Sequence, residues 1–352
     1  MKYAIRSYGC QMNFAEAEEI RQYLQSVGAK ETDNYQLADW LFVLTCTVRQ
    51  HAEDRAWGFL KSLRSWKQEK NNRCLVVGGC LVSQSAHLIK SRLPYIDILV
   101  PASENIVWAD RLKKILLNSS PICPPPLKST HQSVIISYGC SNFCSYCIVP
   151  FVRGPERCRP AGEILSQIQK LLQSGVKKIT LLGQNVNSYF DNSLDFADLL
   201  KKIDNLSGDF TFTFLTSHPR DMNEKIISTL AGLKKWSGEL HLPLQSGSDR
   251  ILKLMNRGYT YQQYCSIVRA IRRQRPDICL STDLIVGFPG ETEEDFCQTK
   301  KAISELNFQH FYAFKYSPRP PARSASLTDD VPDKIKEERL AEVLQSQRPG
   351  QQ

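Results

Sequence analysis

The chain of 352 residues is long enough for two or three domains with substantial cores. Its 42% hydrophobic and 23% charged residues are ordinary globular values, and nowhere do eighteen apolar residues run together as a membrane-spanning helix requires. Lys and Arg outnumber Asp and Glu by 45 to 36, a net charge of +9 that suits a polyanionic partner such as RNA. The amino terminus has no apolar core or small-residue cleavage pattern, so a soluble, cytoplasmic protein is expected. In that compartment twelve cysteines point to ligands, nucleophiles or buried thiols rather than disulfides.

The first segment alternates strands and helices: a strand over 3–7, a helix over 15–27 closed by Gly28, a strand over 40–44, a helix over 49–67 and a strand over 75–78, with shorter elements to about 117. This is the βαβ pattern of a small parallel sheet covered by helices. Cys10, Cys46 and Cys80 each close one of its strands. Parallel strands bring their carboxyl ends to one edge, the usual ligand crevice of an open α/β fold, so the three thiols would converge there. Two readings stand side by side: a three-thiolate cluster site, or small buried apolar residues at strand ends.

Residues 119–132 carry Ser119-Ser120, Pro121 and Pro124-Pro125-Pro126 without apolar period and read as an extended linker, with Cys123 isolated in it. Six strand-then-helix units follow, their strands near Val134, Ile179, Phe210, Glu239, Leu280 and Phe311, which predicts a partial barrel with function on the loops after the strands. The first of these loops contains Cys140, Cys144 and Cys147. Three thiolates this close can hold three corners of one metal cluster, whereas a structural zinc or ferredoxin site wants four protein ligands, and no fourth cysteine has that spacing. An iron without a protein ligand is a place where a small molecule can be bound and activated. The spacing, with Tyr146 just before the third cysteine, resembles the signature of radical S-adenosylmethionine (SAM) enzymes, in which the open iron chelates SAM.

Later loops are polar where a packed core would not need them to be. Gly183 and Gln184, Thr216-Ser217-His218-Pro219, and the stretch from His241 through Gln245 to Ser248 offer close approach and polar groups, though each could be an ordinary turn. Asp283 at a strand end suits a ribose hydroxyl or an ammonium group. Thr292 and Asp295 form a capping box. His218 and His241 read as bases or as hydrogen-bonded structural histidines. Cys74, Cys158, Cys265, Cys279 and Cys297 lack cluster spacing and read as packing.

Taken together, Gly9-Cys10-Gln11-Met12-Asn13, Thr45-Cys46-Thr47-Val48-Arg49, Gly79-Cys80, the Cys140 to Cys147 loop running on through Arg153-Gly154, Glu156-Arg157 and Arg159-Pro160, Leu182 to Tyr189, Thr216 to Pro219, Leu242 to Ser248 and Tyr316 to Pro320 resemble the MiaB-type tRNA methylthiotransferases over almost the whole chain. The resemblance implies an open parallel α/β methylthiotransferase domain over 1–118 and a partial (β/α)6 radical SAM barrel over 133–346. It implies two 4Fe-4S clusters, one on Cys10, Cys46 and Cys80 and one on Cys140, Cys144 and Cys147, with SAM bound near Tyr146, Gly183, Gln184, Ser217, Gln245 and Asp283. The implied reaction places a methylthio group on adenine C2 of an isopentenylated adenosine beside the anticodon, at tRNA position 37, using two SAM molecules and a 5′-deoxyadenosyl radical. That C–H bond has no acidic proton, so acid–base catalysis cannot open it. The expected partners are the tRNA anticodon stem-loop and an electron donor such as flavodoxin or ferredoxin, with no membrane and a monomeric protein. Arg153, Arg157 and Arg159, in a segment rich in Pro and Gly, are expected to contact RNA phosphates. Members usually continue into a small RNA-binding TRAM domain, which this chain, with a tail over 347–352, is expected to lack; Pro320-Pro321-Ala322-Arg323 also departs from the usual Pro-Gly-Thr-Pro. Methylthiolation of a ribosomal-protein aspartate and a non-catalytic iron–sulfur or RNA-binding remnant are the alternatives.

Overall fold

The computed structural model describes residues 1–104, 108–116 and 129–347; most of the predicted linker with Cys123, and the tail beyond 347, lie outside them. The chain forms two compact units. The first comprises the described residues of 1–128 together with 138–141 and 148–156; the second comprises 129–137, 142–147 and the described residues from 157 onward. Two pieces of the segment after the first barrel strand therefore belong to the first unit.

In the first unit, β1 (Lys2–Ser7), β2 (Lys30–Glu31), β3 (Trp40–Thr45), β4 (Cys74–Gly79) and β5 (Ile98–Pro101) make one parallel sheet in the order β2-β1-β3-β4-β5. Successive side chains of a strand point to opposite faces. Leu41 and Val43 thus join Leu75 and Val77 in a core with Leu60, Leu63 and Trp66 of α2 (Gln50–Glu69) and Leu81 of α3 (Cys80–Arg92). Phe42, Leu44 and Val76 pack on the other face with Ile20 and Leu24 of α1 (Gln11–Ser26) and Trp108 and Leu112 of α4 (Trp108–Ile115). Burial on both faces explains the unbroken apolar runs of β3 and β4. A short helix, α5 (Val149–Arg153), adds Val152 to a small cluster with Ile148 and Cys80.

The second unit is built on six parallel strands hydrogen-bonded in chain order: His131–Ile135, Lys178–Leu182, Thr211–Phe214, Trp236–His241, Cys279–Val286 and His310–Lys315. Among the described residues the sheet stays open, which is the partial barrel the sequence predicts. Helix starts after the strands are fixed by side-chain caps. Asn223 accepts from Ile226 N, Ser248 from Ile251 N, and Thr260 with Gln263, like Thr292 with Asp295, completes a capping box. The last helix of the unit spans Asp333–Gln345.

Candidate metal centre

Three thiols of the first unit meet at the carboxyl ends of adjacent strands. Cys10 caps the start of α1 just beyond β1, Cys46 follows β3, and Cys80 opens α3 directly after β4. Gly9 makes the approach possible: its φ is +104°, and a Cβ there would collide with Cβ and Sγ of Cys46. Gly79, at φ +105°, lies against the backbone of Thr45 in the same way. Asn13, fully buried, ties the strand ends together: its Nδ2 donates to Tyr8 O (2.6 Å) and Thr45 O (3.1 Å), while its Oδ1 receives the Cys10 thiol at 3.9 Å. Hydrogen bonding with Cys46 draws the Cys10 thiol down to about 6, and the same pairing, with burial, keeps Cys46 protonated; burial also raises Cys80, opposed by the nearby Arg153 charge. Among the described residues no three His, Cys, Asp or Glu side chains converge as a single ion would require. A four-iron cluster makes a different demand, since each thiolate takes its own corner.

Arg153 sits in this unit and not at an RNA-facing surface. It is 1% exposed; Nη1 donates to Glu16 Oε1 at 2.7 Å and Nη2 to Asn13 Oδ1 at 2.8 Å. The expectation that it meets RNA phosphates is corrected on that ground: its guanidinium is enclosed and already bound. Arg159 is half-buried, with Nη1 donating to Ile135 O (2.7 Å) and Gln167 Oε1 (2.8 Å), while Arg157 is exposed.

Of the second triplet, Cys140 belongs to the first unit, its N–H donating to Gly154 O at 3.1 Å, and Cys144 and Cys147 belong to the second. Cys144 is buried beside an arginine that the motif reading did not single out. Arg257, 4% exposed, donates from Nη1 to Cys144 Sγ and to Tyr146 Oη, both at 3.3 Å, and from Nη2 to Pro243 O at 2.9 Å. His218 Nε2 lies 3.9 Å from Cys144 Sγ, and its Nδ1 accepts from Arg220 N at 3.2 Å. Burial, aided by the charges of Arg257 and Arg220, pulls the His218 imidazole down to about 2, so it is neutral. His241 is bonded to Ser281 Oγ (3.1 Å) and Asp283 Oδ2 (3.2 Å).

The strand-end loops of the second unit hold polar atoms that the chain leaves without partners. Ser217 Oγ, Gln245 Oε1, Asn185 Oδ1 and Ser137 Oγ are buried and make no hydrogen bond. Two of these atoms sit at strained backbone: Thr216, just before Ser217, has φ +70°, and Gln245 itself has φ +73°. Backbone strain and unmet buried polar groups are features that cluster at ligand sites. Gly183 leaves no room for a side chain, since a Cβ there would come 2.5 Å from Ser137 Oγ; Gln184 is half-buried on the same loop, and Asp283, read from the sequence as a strand-end residue, is half-buried within the strand Cys279–Val286. In the same unit Tyr146 packs against a core cluster of Ile251, Met255, Phe288 and Tyr316. Asn185 lies in the amide-bearing stretch singled out from the sequence, whereas sequence reasoning missed Arg257, which stands in the turn Met255-Asn256-Arg257-Gly258-Tyr259 just past the helix Asp249–Leu254. Of the five cysteines read as packing, Cys297 is exposed instead.

Two family models match the chain: the Radical SAM superfamily over residues 134–303 and Uncharacterized protein family UPF0004 over residues 2–101. Among solved structures, the radical SAM methyltransferase TsrM from Kitasatospora setae, with cobalamin and a [4Fe-4S] cluster bound, aligns with TM-score 0.67 at 14% identity over 92% of this chain and 74% of its own. The cobalamin-dependent radical enzyme OxsB aligns with TM-score 0.62 at 12% identity; the chain spans 56% of its length. The structural likenesses show the fold; the class, a radical SAM enzyme, rests on the Radical SAM match and the relatives named next, and the radical SAM family implies a four-iron cluster and SAM. Curated tRNA-2-methylthio-N(6)-dimethylallyladenosine synthases are far more similar: 40% identical in Thermoanaerobacter sp. (strain X514), over 98% of this chain and 77% of that one, and 39% in Fusobacterium nucleatum subsp. nucleatum, over 98% and 83%. The chain belongs to the family of these tRNA-2-methylthio-N(6)-dimethylallyladenosine synthases.

Proposed function

We propose that the protein methylthiolates C2 of the adenine in N6-isopentenyladenosine at tRNA position 37, consuming two SAM molecules, with Cys140, Cys144 and Cys147 holding one four-iron cluster and Cys10, Cys46 and Cys80 a second. Carrying this reading is the 40% identity to synthases of that name across 98% of the chain; the convergence of the first three thiols supports the second cluster. Bound cluster and SAM supply the one-electron chemistry that an unactivated C–H bond demands. The chain's own part is binding, orientation and exclusion of water. Ser217, Gln245 and Asn185 offer unmet polar atoms to SAM, Asp283 offers a carboxylate to a hydroxyl or ammonium group, and Tyr146 is held in place by packing against Ile251, Met255, Phe288 and Tyr316. His218, neutral and bonded on both nitrogens' sides, orients rather than moves protons. Arg157 offers an exposed charge for tRNA. A small electron donor such as flavodoxin or ferredoxin, a monomeric state and a cytoplasmic site complete the reading; among the described residues no helix is long and apolar enough to cross a membrane.

The test is nucleoside analysis of tRNA from cells with and without the gene. The methylthiolated nucleoside should vanish on deletion while its isopentenylated precursor accumulates. Unchanged tRNA nucleosides would refute the substrate.

A further inference from the structure

The Arg153 network has no role in the reaction as described, yet it lies among the first three thiols. Its guanidinium is held at two points, by Glu16 (2.7 and 3.5 Å) and by Asn13 Oδ1 (2.8 Å), the same oxygen that receives the Cys10 thiol. Arg153 and Glu16 have side chains only 2% and 9% exposed. Withdrawing two charges from water costs several kcal/mol per ion, and a well-packed apolar pair would fasten α5 to α1 as well or better. The charges are therefore better explained by what they face. Arg153 lies close enough to Cys80 and Cys10 to pull electrostatically on both thiols. Three thiolates would bring three negative charges into this enclosed corner, and hydrogen bonds and charges next to cluster sulfurs are what set a cluster's affinity and potential.

We propose that Arg153 is a positioning residue of the cluster held by Cys10, Cys46 and Cys80: fixed by Glu16 and Asn13, its guanidinium compensates the thiolate charge and raises the reduction potential of that cluster. This rests on the reading that those cysteines hold a cluster. A purely mechanical ion pair would hold α5 in place and leave the potential alone.

The experiment uses the full-length chain with Cys140, Cys144 and Cys147 replaced by alanine, reconstituted anaerobically so that one cluster remains, with iron content measured and the midpoint potential followed by EPR-monitored redox titration. Adding Arg153→Gln should shift the midpoint to more negative values and lower cluster retention; Arg153→Lys should restore most of both. Glu16→Gln, which removes the neighbouring anion, should shift the midpoint the opposite way. Opposite signs would not arise from loosened packing. An Arg153→Gln protein with native circular dichroism, full iron and an unshifted midpoint would overturn the proposal. If that variant does not fold, the Glu16→Gln arm decides, and an unchanged or lowered midpoint overturns it. A parent without iron would overturn the reading of the three cysteines and the proposal with it, an outcome distinct from an iron-loaded parent whose potential ignores Arg153.

Discussion

Gly9 and Gly28 both have positive φ, yet they carry different weight. Around Gly28 (φ +79°) there is open space, so Gly28→Asn, with a side chain that tolerates the left-handed region, should leave the thermal midpoint almost unchanged. At Gly9 a methyl group meets Cys46. Gly9→Ala should therefore cost about 1–3 kcal/mol in backbone strain alone and push the Cys46 thiol off its position, lowering both the unfolding midpoint and the iron bound by the first triplet. Asp295 gives a prediction with a pH sign. Burial raises its carboxyl, but bonds from Arg250, Ser248 and Thr292 outweigh that and hold it well below the usual carboxylate range. A depressed carboxylate contributes stability above its unfolded value, about pH 4, and loses it as the pH falls. Asp295→Asn should destabilise clearly at pH 7 and by a somewhat smaller margin near pH 3, because the contribution disappears only as the pH falls through the depressed folded-state value; urea unfolding at both pH values reads it. At this scale the cysteines were legible because spacing is a one-dimensional signal. Arg153 was not: a basic residue followed by Gly154-Pro155 looks solvated, and its partner Glu16 lies 137 positions away.

Among elements, the barrel strands and the capping boxes were legible, since apolar runs and Thr-x-x-Asp or Thr-x-x-Gln are local patterns. Helix α1 was only partly so. It begins at Gln11, four residues before the predicted start, because its first turn is anchored by the Asn13 amide on Tyr8 O and Thr45 O as well as by the buried Met12. The loops bearing Thr216 and Gln245 read equally as ligand loops and as ordinary turns, because the positive φ that sets them apart leaves no mark in composition. The helix Asp333–Gln345 is tied to the second unit through a buried pair, Arg339 Nη1 to Glu291 Oε2 at 2.8 Å, with side chains 8% and 0% exposed. Removing one partner strands the other charge in the interior. Arg339→Met should cost about 3 kcal/mol in equilibrium unfolding, and the double variant with Glu291→Gln should recover a good part of it.

For the whole molecule, six of the twelve cysteines form the two triplets, for which we propose two jobs, and the first unit, an open parallel sheet, gathers one triplet at its strand ends. The proposed reaction separates those jobs: one cluster with SAM opens a C–H bond, and the other is tied to the sulfur that is added. The most direct measurement is single-turnover assay of reconstituted protein with isopentenylated tRNA, quantifying 5′-deoxyadenosine and methylthio nucleoside together in two triple variants. Alanine at Cys10, Cys46 and Cys80 should leave 5′-deoxyadenosine formation and abolish the methylthio product, while alanine at Cys140, Cys144 and Cys147 should abolish both. Methylthio product from the first variant, or 5′-deoxyadenosine from the second, would contradict the account.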